Sequence, residues 1–320
     1  MSRITLVLVS IFLLGLSTGK KGEKKMLQEI NTTRILSIFF PTDDGRWTDR
    51  IVGSFTANMQ KTGLDIEFFT ASYTPGMSEK TLVKNAETIN PDIIFLPDDQ
   101  LYRKFSTALS KAIPKAKIVF SSFYTNLKDT NVLPEDKQMG VVATAPIDVL
   151  VRQAEKLIGK NIKSLGVIGG PLAPEIIAHI KYKAAKLGIK VESKICKTWG
   201  DYTLTVTEME KSNDAVWPLA PFLVKMKDGS GVGMHQFEQA IDKINKPSFG
   251  YGAIKTNPMM SMNIKPELLG ENAAALVFRN LKGENPGVEE FKRFSLVISK
   301  KAVKKMNIKV PQNLIGFLSD

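Results

Sequence analysis

Charged and aromatic side chains stand at two places where the sequence predicts that a strand ends. Asp44, Arg46 and Trp47 follow the first apolar run of the folded chain. The adjacent carboxylates Asp98 and Asp99 follow the third. A carboxylate can bind a ligand amine, an arginine can hold a ligand acid through two hydrogen bonds, and a tryptophan can form an apolar wall. These residue types indicate a binding site for a small polar molecule.

The same residues also have structural interpretations. Asp44 and Asp98 are suitable N-caps for the helices that follow, and Trp47 fits the apolar face of a helix. For Asp98 and Asp99 we favour ligand binding, because two adjacent carboxylates exceed what one helix cap requires. For the group around Trp47 both interpretations remain open.

Hydroxyl groups, glycine and further aromatic rings follow other predicted strands. We expect the ligand-binding set to be completed by Tyr73, Ser121, Ser122, Tyr124, Thr144, Gly170, Trp217 and Tyr251. Hydroxyls and aromatic rings can orient a polar ligand, and helix N-termini offer free backbone N–H groups to an anionic group. Turn formation explains the serines equally well, and core packing explains Trp217 equally well.

Residue types that support catalysis or metal binding are scarce. The chain has one cysteine, Cys196, and two histidines, His179 and His235, which lie far apart in sequence. This excludes an internal disulfide framework and a cysteine-cluster metal site. The glycine-rich segment 228–233 lacks the spacing of phosphate-binding and dinucleotide-binding motifs. We therefore predict no catalytic residues, no metal site and no cofactor.

The first 19 residues are typical of a secretory signal peptide. Arg3 precedes an apolar run from Ile4 to Leu16, and small or polar residues follow it. The run is shorter than the ~20 residues that a membrane-spanning helix needs. We expect residues 1–19 to direct export to the periplasm or another extracytoplasmic compartment, and residues 20–33 to form a charged tether. An uncleaved N-terminal anchor is the alternative.

The chain is basic, with 44 Lys and Arg against 32 Asp and Glu and a formal net charge of +12. The lysines are scattered along predicted helices and turns, and no nucleic-acid-binding module accompanies them. We interpret them as solvated surface residues and expect no nucleic-acid partner.

Apolar runs alternate with amphipathic patterns over the rest of the 320 residues. Strands are predicted at 35–40, 64–69, 93–96, 118–120, 165–168, 191–195, 215–219 and 248–251. Runs that are apolar on both faces, separated by amphipathic helices, predict parallel sheets covered on both sides. Two successive series of this kind predict two α/β lobes around a cleft, with ligands bound beyond the carboxyl ends of the strands.

We expect the N-terminal lobe to comprise residues 34–125 with a returning segment at about 253–285. The C-terminal lobe is expected to comprise residues 140–252 with a final segment at about 290–320.

Several C-terminal segments carry a family resemblance. They are 248–252 (Ser-Phe-Gly-Tyr-Gly), 270–274 (Gly-Glu-Asn-Ala-Ala), 281–287, 294–298 and 301–311. They resemble the C-terminal part of ABC-transporter substrate-binding proteins of the uncharacterised amino-acid-type group. The resemblance implies a type I periplasmic-binding fold, in which two doubly wound parallel-sheet lobes are joined by a hinge. Residues 97–100 (Pro-Asp-Asp-Gln) depart from the Ala-Thr-Pro-Ala-like segment of the usual members.

The resulting hypothesis is an extracytoplasmic solute-binding protein without enzymatic activity. It would bind a small polar molecule between its lobes, with an amino-acid-like molecule as one candidate, and, by the resemblance, present it to an ABC permease in the membrane. A ligand-sensing module that reports to a membrane signalling receptor is the alternative, since it would use the same fold and the same closure.

Overall fold

The computed structural model describes residues 32–40, 47–74, 76–123, 133–221, 223–252 and 258–320. The predicted signal peptide and most of the predicted tether lie outside the described residues. So do three expected ligand contacts, Asp44, Arg46 and Tyr124. Ser122 lies in a described strand, but its side chain is outside the description.

The first lobe is built on a parallel six-stranded sheet. Its strands, in spatial order, are β11 (Val288–Glu290), β5 (Gln138–Val142), β4 (Lys117–Phe123), β3 (Ile93–Leu96), β1 (Thr33–Phe39) and β2 (Ile66–Ser72). All four residues of β3 are buried, as expected for a central strand covered on both faces.

Two pairs of helices cover this sheet. Helices α1 (Thr48–Gln60) and α8 (Pro266–Leu281) share an apolar cluster on one face. Helices α2 (Glu79–Ile89) and α3 (Asp99–Ala112) share a cluster on the other. Ile51, Phe55 and Met59 recur every four residues and are fully buried, so the apolar periodicity correctly predicts the inner face of α1.

The second lobe contains two sheets that meet edge to edge. Its strands are β7 (Lys190–Ile195), β6 (Ser164–Gly169) and β8 (Ala215–Pro218), followed by β9 (Phe249–Gly252), β10 (Met260–Asn263), β12 (Ser295–Ser299) and β13 (Leu318–Ser319). The Val216 N–H donates to the Pro247 carbonyl at 2.9 Å, which joins the two sheets. Strand β12 runs antiparallel to β10, whereas the other pairings between the named strands of this lobe are parallel.

Five helices cover the second lobe. On one side α4 (Ile147–Ile158), α5 (Pro174–Ala185) and the short α9 (Lys300–Lys305) contribute to one apolar cluster. On the other side α6 (Trp199–Ser212) and α7 (Met234–Asp242) contribute to a second. The lobe is therefore a covered α/β layer structure like the first.

The described chain crosses between the lobes at residues 143–146, 264–265 and 291–294. These short connections form the hinge. They also determine which strands belong to which lobe. Strand β5 pairs with β4 in the first sheet, although residues from 140 onward were expected in the second lobe. Strand β10 pairs with β9 in the second lobe, although about 253–285 was expected in the first.

No helix among the described residues has both the length and the apolar character needed to cross a lipid bilayer.

Candidate ligand-binding cleft

The cleft is defined by the carboxyl ends of parallel strands in the two lobes. In the first lobe, β3 ends at Leu96 and α3 begins at Asp99. In the second lobe, β6 ends at Gly169 and α5 begins at Pro174. Open α/β sheets bind ligands at this edge, so the first turns of α3 and α5 are the natural walls of a site.

Asp98 caps α3 and lies at the cleft edge. Its Oδ1 accepts the backbone N–H groups of Gln100 at 2.8 Å and Leu101 at 3.3 Å. The structural interpretation of Asp98 as a helix cap is therefore correct. Burial nevertheless raises the pKa of this carboxyl above its usual value, because the loss of water outweighs the two hydrogen bonds.

Of these two adjacent carboxyls, that of Asp99 has the more strongly raised pKa. Burial raises its pKa to about 7, with further contributions from the negative charges of Asp98 and Glu175 and an opposing one from Arg103. At neutral pH this carboxyl is therefore divided between its neutral and charged forms. A nearby ammonium group would favour the charged form, so the site is suited to a ligand amine.

Arg103 and Glu175 meet across the cleft. Arg103 lies on α3 of the first lobe and Glu175 in the first turn of α5 of the second. Their Nη2 and Oε2 atoms are 2.8 Å apart. Neither residue was expected in the site from sequence. Arg103 lies four positions after Asp99, which places both on one face of α3, and this spacing is the signal that could have found it.

Two residues of the first lobe that were expected to contact the ligand make packing contacts and hydrogen bonds within that lobe. Tyr73 is 8% exposed, lies edge-on to Phe105, and its hydroxyl accepts a hydrogen bond from Lys104. Ser121 is fully buried, and its Oγ donates to the Pro97 carbonyl at 3.4 Å. This hydrogen bond connects the end of β4 to the loop that carries Asp98.

Thr144 and Tyr251 lie at the hinge. The Thr144 hydroxyl donates to Glu290 Oε1 at 2.9 Å, and the Tyr251 hydroxyl donates to the Ala143 carbonyl. The Tyr251 ring contacts the apolar clusters of both lobes, and its centroid is 6.1 Å from that of Phe294 in another connection. These side chains join segments that must reorient when the lobes move.

The remaining expected contacts are dispersed. Trp217 is 1% exposed and packs edge-on against Phe249 in the core of the second lobe. Trp47 is partly buried against the core of the first lobe. Gly170 directly follows β6, and its carbonyl accepts the Ala173 N–H at 2.9 Å in the turn before α5. The structure therefore brings Asp98 and Asp99 together with Arg103 and Glu175, while Trp217 lies in the core.

A further groove of about 760 Å³ lies at the amino ends of β6 and β8. It is lined by Arg152, Glu155, Lys156, Gly159, Lys160, Asn161, Lys163 and Asp214. Because the cleft is at the carboxyl ends of these strands, the groove is separate from it.

The fold and the cleft define a two-lobed α/β binding protein. The family model of ABC transporter substrate binding proteins matches residues 106–317, well over half of the chain. The protein belongs to this family. None of the curated proteins compared with the chain matches it.

Solved structures share the fold at low sequence identity. A conserved domain protein from Vibrio cholerae is 19% identical with a TM-score of 0.61, covering 90% of this chain and 99% of its own. An ABC domain in complex with L-Trp from Streptococcus pneumoniae is 16% identical with a TM-score of 0.62, covering 90% and 100%. A ligand-free, open substrate binding protein with adhesive properties from Clostridium difficile is 15% identical with a TM-score of 0.65, covering 88% and 97%.

Proposed function

We propose that this protein captures a small polar ligand between its lobes outside the cytoplasm and presents it to an ABC permease, without chemical conversion. The observation that carries the proposal is the charged cluster of Asp98, Asp99, Arg103 and Glu175 where the two lobes meet. Family membership supports a small-molecule ligand and a membrane permease as partners.

The cluster favours a ligand that carries an amine. Asp98 and Asp99 present two adjacent carboxylates at one wall of the cleft, and Glu175 adds a third from the opposite lobe. Bringing negative charges together raises the electrostatic free energy, and a cationic group between them lowers it again. The ligand amine would therefore replace a proton on Asp99.

Arg103 supports a second requirement, an acidic group on the same ligand. A guanidinium can hold a carboxylate through two parallel hydrogen bonds. Arg103 now contacts Glu175, and a ligand carboxylate would compete for the same donors. An amino-acid-like zwitterion carries both an amine for the carboxylates and a carboxylate for Arg103. The complex of a structural neighbour with L-Trp is consistent with this ligand class.

Closure supplies the signal to the permease. A ligand that contacts both lobes binds the closed form more tightly than the open form, and so shifts the population toward closure. The connections at residues 143–146, 264–265 and 291–294 are where this motion would take place.

A thermal-shift screen tests the proposal. Amino acids, amines, carboxylates and sugars are compared, and a ligand at 100 times its Kd should stabilise the folded protein by about 2.7 kcal/mol. We expect zwitterions that carry an amine to raise Tm, and Asp98→Asn and Asp99→Asn to weaken that effect. Asn retains helix-capping ability, so Asp98→Asn removes the charge and keeps the cap.

Asp228→Asn is the matched control, because Asp228 lies in an exposed turn of the second lobe and accepts hydrogen bonds from Ser230. If sugars alone raise Tm, or if all three variants bind equally, the charged cluster is not the ligand site.

A further inference from the structure

The contact between Arg103 and Glu175 joins helices that belong to different lobes. Between described residues, the other ion pairs lie within one lobe, such as Arg50 with Glu267 between α1 and α8, or join a hinge connection to one lobe, as Arg293 does with Glu271 of α8. A pair within a lobe moves as one body during hinge motion, whereas a pair across the cleft separates. Separation of the lobes would therefore break the 2.8 Å contact between Arg103 and Glu175, so the contact favours the closer arrangement.

The two side chains lie at the edge of the cleft and remain accessible to water. The Arg103 side chain is 32% exposed and that of Glu175 is 54% exposed. Exposed pairs are individually weak, and two- to five-fold in an equilibrium constant corresponds to about 0.4–1 kcal/mol. An effect of this size is small for folding but large for an equilibrium between two arrangements of comparable free energy.

The partners of Arg103 differ between the two arrangements. Asp99 lies four positions before Arg103 on α3, and its charge interacts with the guanidinium within the first lobe. That interaction persists when the lobes separate, whereas the contact with Glu175 does not. Opening also relieves the repulsion that Glu175 exerts on Asp99. The balance between these carboxylates determines how strongly Arg103 holds the second lobe.

We propose that Arg103 and Glu175 form a latch, an ion pair that holds the lobes together across the cleft and sets the population of the closed form before ligand binds. They act as positioning residues. The latch rests on the proposed function only for its consequence, which is that the closed population before binding changes the apparent ligand affinity.

Pulsed electron paramagnetic resonance on the ligand-free protein tests the latch. Nitroxide labels at Lys111→Cys on α3 and Lys181→Cys on α5 report the distance between the lobes, and the native Cys196 is buried. We expect Glu175→Gln and Arg103→Gln to lower the ratio of closed to open molecules two- to five-fold. Arg103→Lys, which keeps the charge, should retain most of the closed population.

The double variant separates an ion pair from two unrelated effects. Because each single change already breaks the latch, Arg103→Gln with Glu175→Gln should open the protein no further than either change alone. The matched control is Glu208→Gln, which removes a 3.9 Å ion pair with Lys194 inside the second lobe and should leave the distances unchanged. Unchanged distances in both single variants, additive opening in the double variant, or equal opening in the control would each overturn the latch.

These outcomes are independent of ligand identity. If the latch fails, the thermal-shift screen still tests ligand capture. If the screen finds no ligand, the distance measurement still tests the latch.

Discussion

The pH dependence of stability isolates the unusual environment of Asp99. The pKa of Asp99 is about 7 in the folded protein, against 3.8 for an unperturbed carboxyl. Between these values the folded protein binds more protons at this site than the unfolded chain does. Stability contributed by Asp99 therefore falls as pH rises from about 4 to about 7 and is lowest above that range.

The Asp99→Asn variant removes this titration and should become more stable relative to the wild type as pH rises. At about 1.4 kcal/mol for each tenfold change, the full effect would be roughly 4 kcal/mol. Asp99 retains contact with water, which screens its interactions, so we expect a difference of roughly 1–2 kcal/mol at pH 8. At pH 5 the difference should be smaller than at pH 8, and it should vanish only below about pH 4, where Asp99 is neutral in the unfolded chain as well as in the folded protein.

Urea unfolding at pH 5, 6, 7 and 8 measures the difference directly. Subtracting the wild type from the variant cancels the many groups that titrate in both proteins. The matched control is Asp228→Asn in the exposed turn, where hydrogen bonds from Ser230 lower the pKa of the carboxyl, so no gain at high pH is expected. Parallel stability curves for wild type and Asp99→Asn would refute the reasoning.

Three further changes test the packing that positions the cleft. Gly270→Ala places a methyl group 2.2 Å from the Ile51 carbonyl oxygen between α8 and α1 and should cost about 3 kcal/mol in urea unfolding. Gly53→Ala on α1, with nothing within 4 Å, should instead be neutral or stabilising, and equal losses would contradict the close approach. Asp98→Ala should cost about 1 kcal/mol in urea unfolding while Asp98→Asn costs less, and equal costs would exclude the cap. Tyr251→Phe should lower thermal stability by roughly 1–2 kcal/mol through loss of its hydrogen bond to the Ala143 carbonyl, and an unchanged Tm would show that this bond contributes nothing.

The lobe architecture was largely accessible from the sequence, because its central strands and helices have strong local signals. The run at 93–96 is wholly apolar and forms β3 with the predicted bounds. The repeat of Ile51, Phe55 and Met59 marks α1, and the Ser78 hydroxyl caps α2 by accepting the Thr81 N–H. Such features depend on neighbours within a few positions, so composition and period suffice to find them.

Elements that depend on tertiary pairing were missed. Met260 and Met262 form part of β10, although methionines interrupted by a serine give no clear strand signal. Strand β12 pairs antiparallel with β10, which no local pattern predicts. Met259 and Met260 are fully buried in the core of the second lobe.

The site was only partly accessible for the same reason. Asp98 and Asp99 could be singled out from the sequence because they follow a buried strand directly. Arg103 and Glu175 lie far apart in sequence and meet only when two helices from different lobes face each other. Tyr251 was expected at the ligand, and its hydroxyl donates to the Ala143 carbonyl at the hinge, a contact that no local pattern predicts.

Hydrogen exchange with and without the ligand that gives the largest thermal shift tests the central claim most directly. Capture between the lobes predicts slower amide exchange at the start of α3, residues 99–103, and at the start of α5, residues 174–177, in the same experiment. Protection confined to one lobe, or to the separate groove around Lys156 and Lys160, would contradict binding in the cleft.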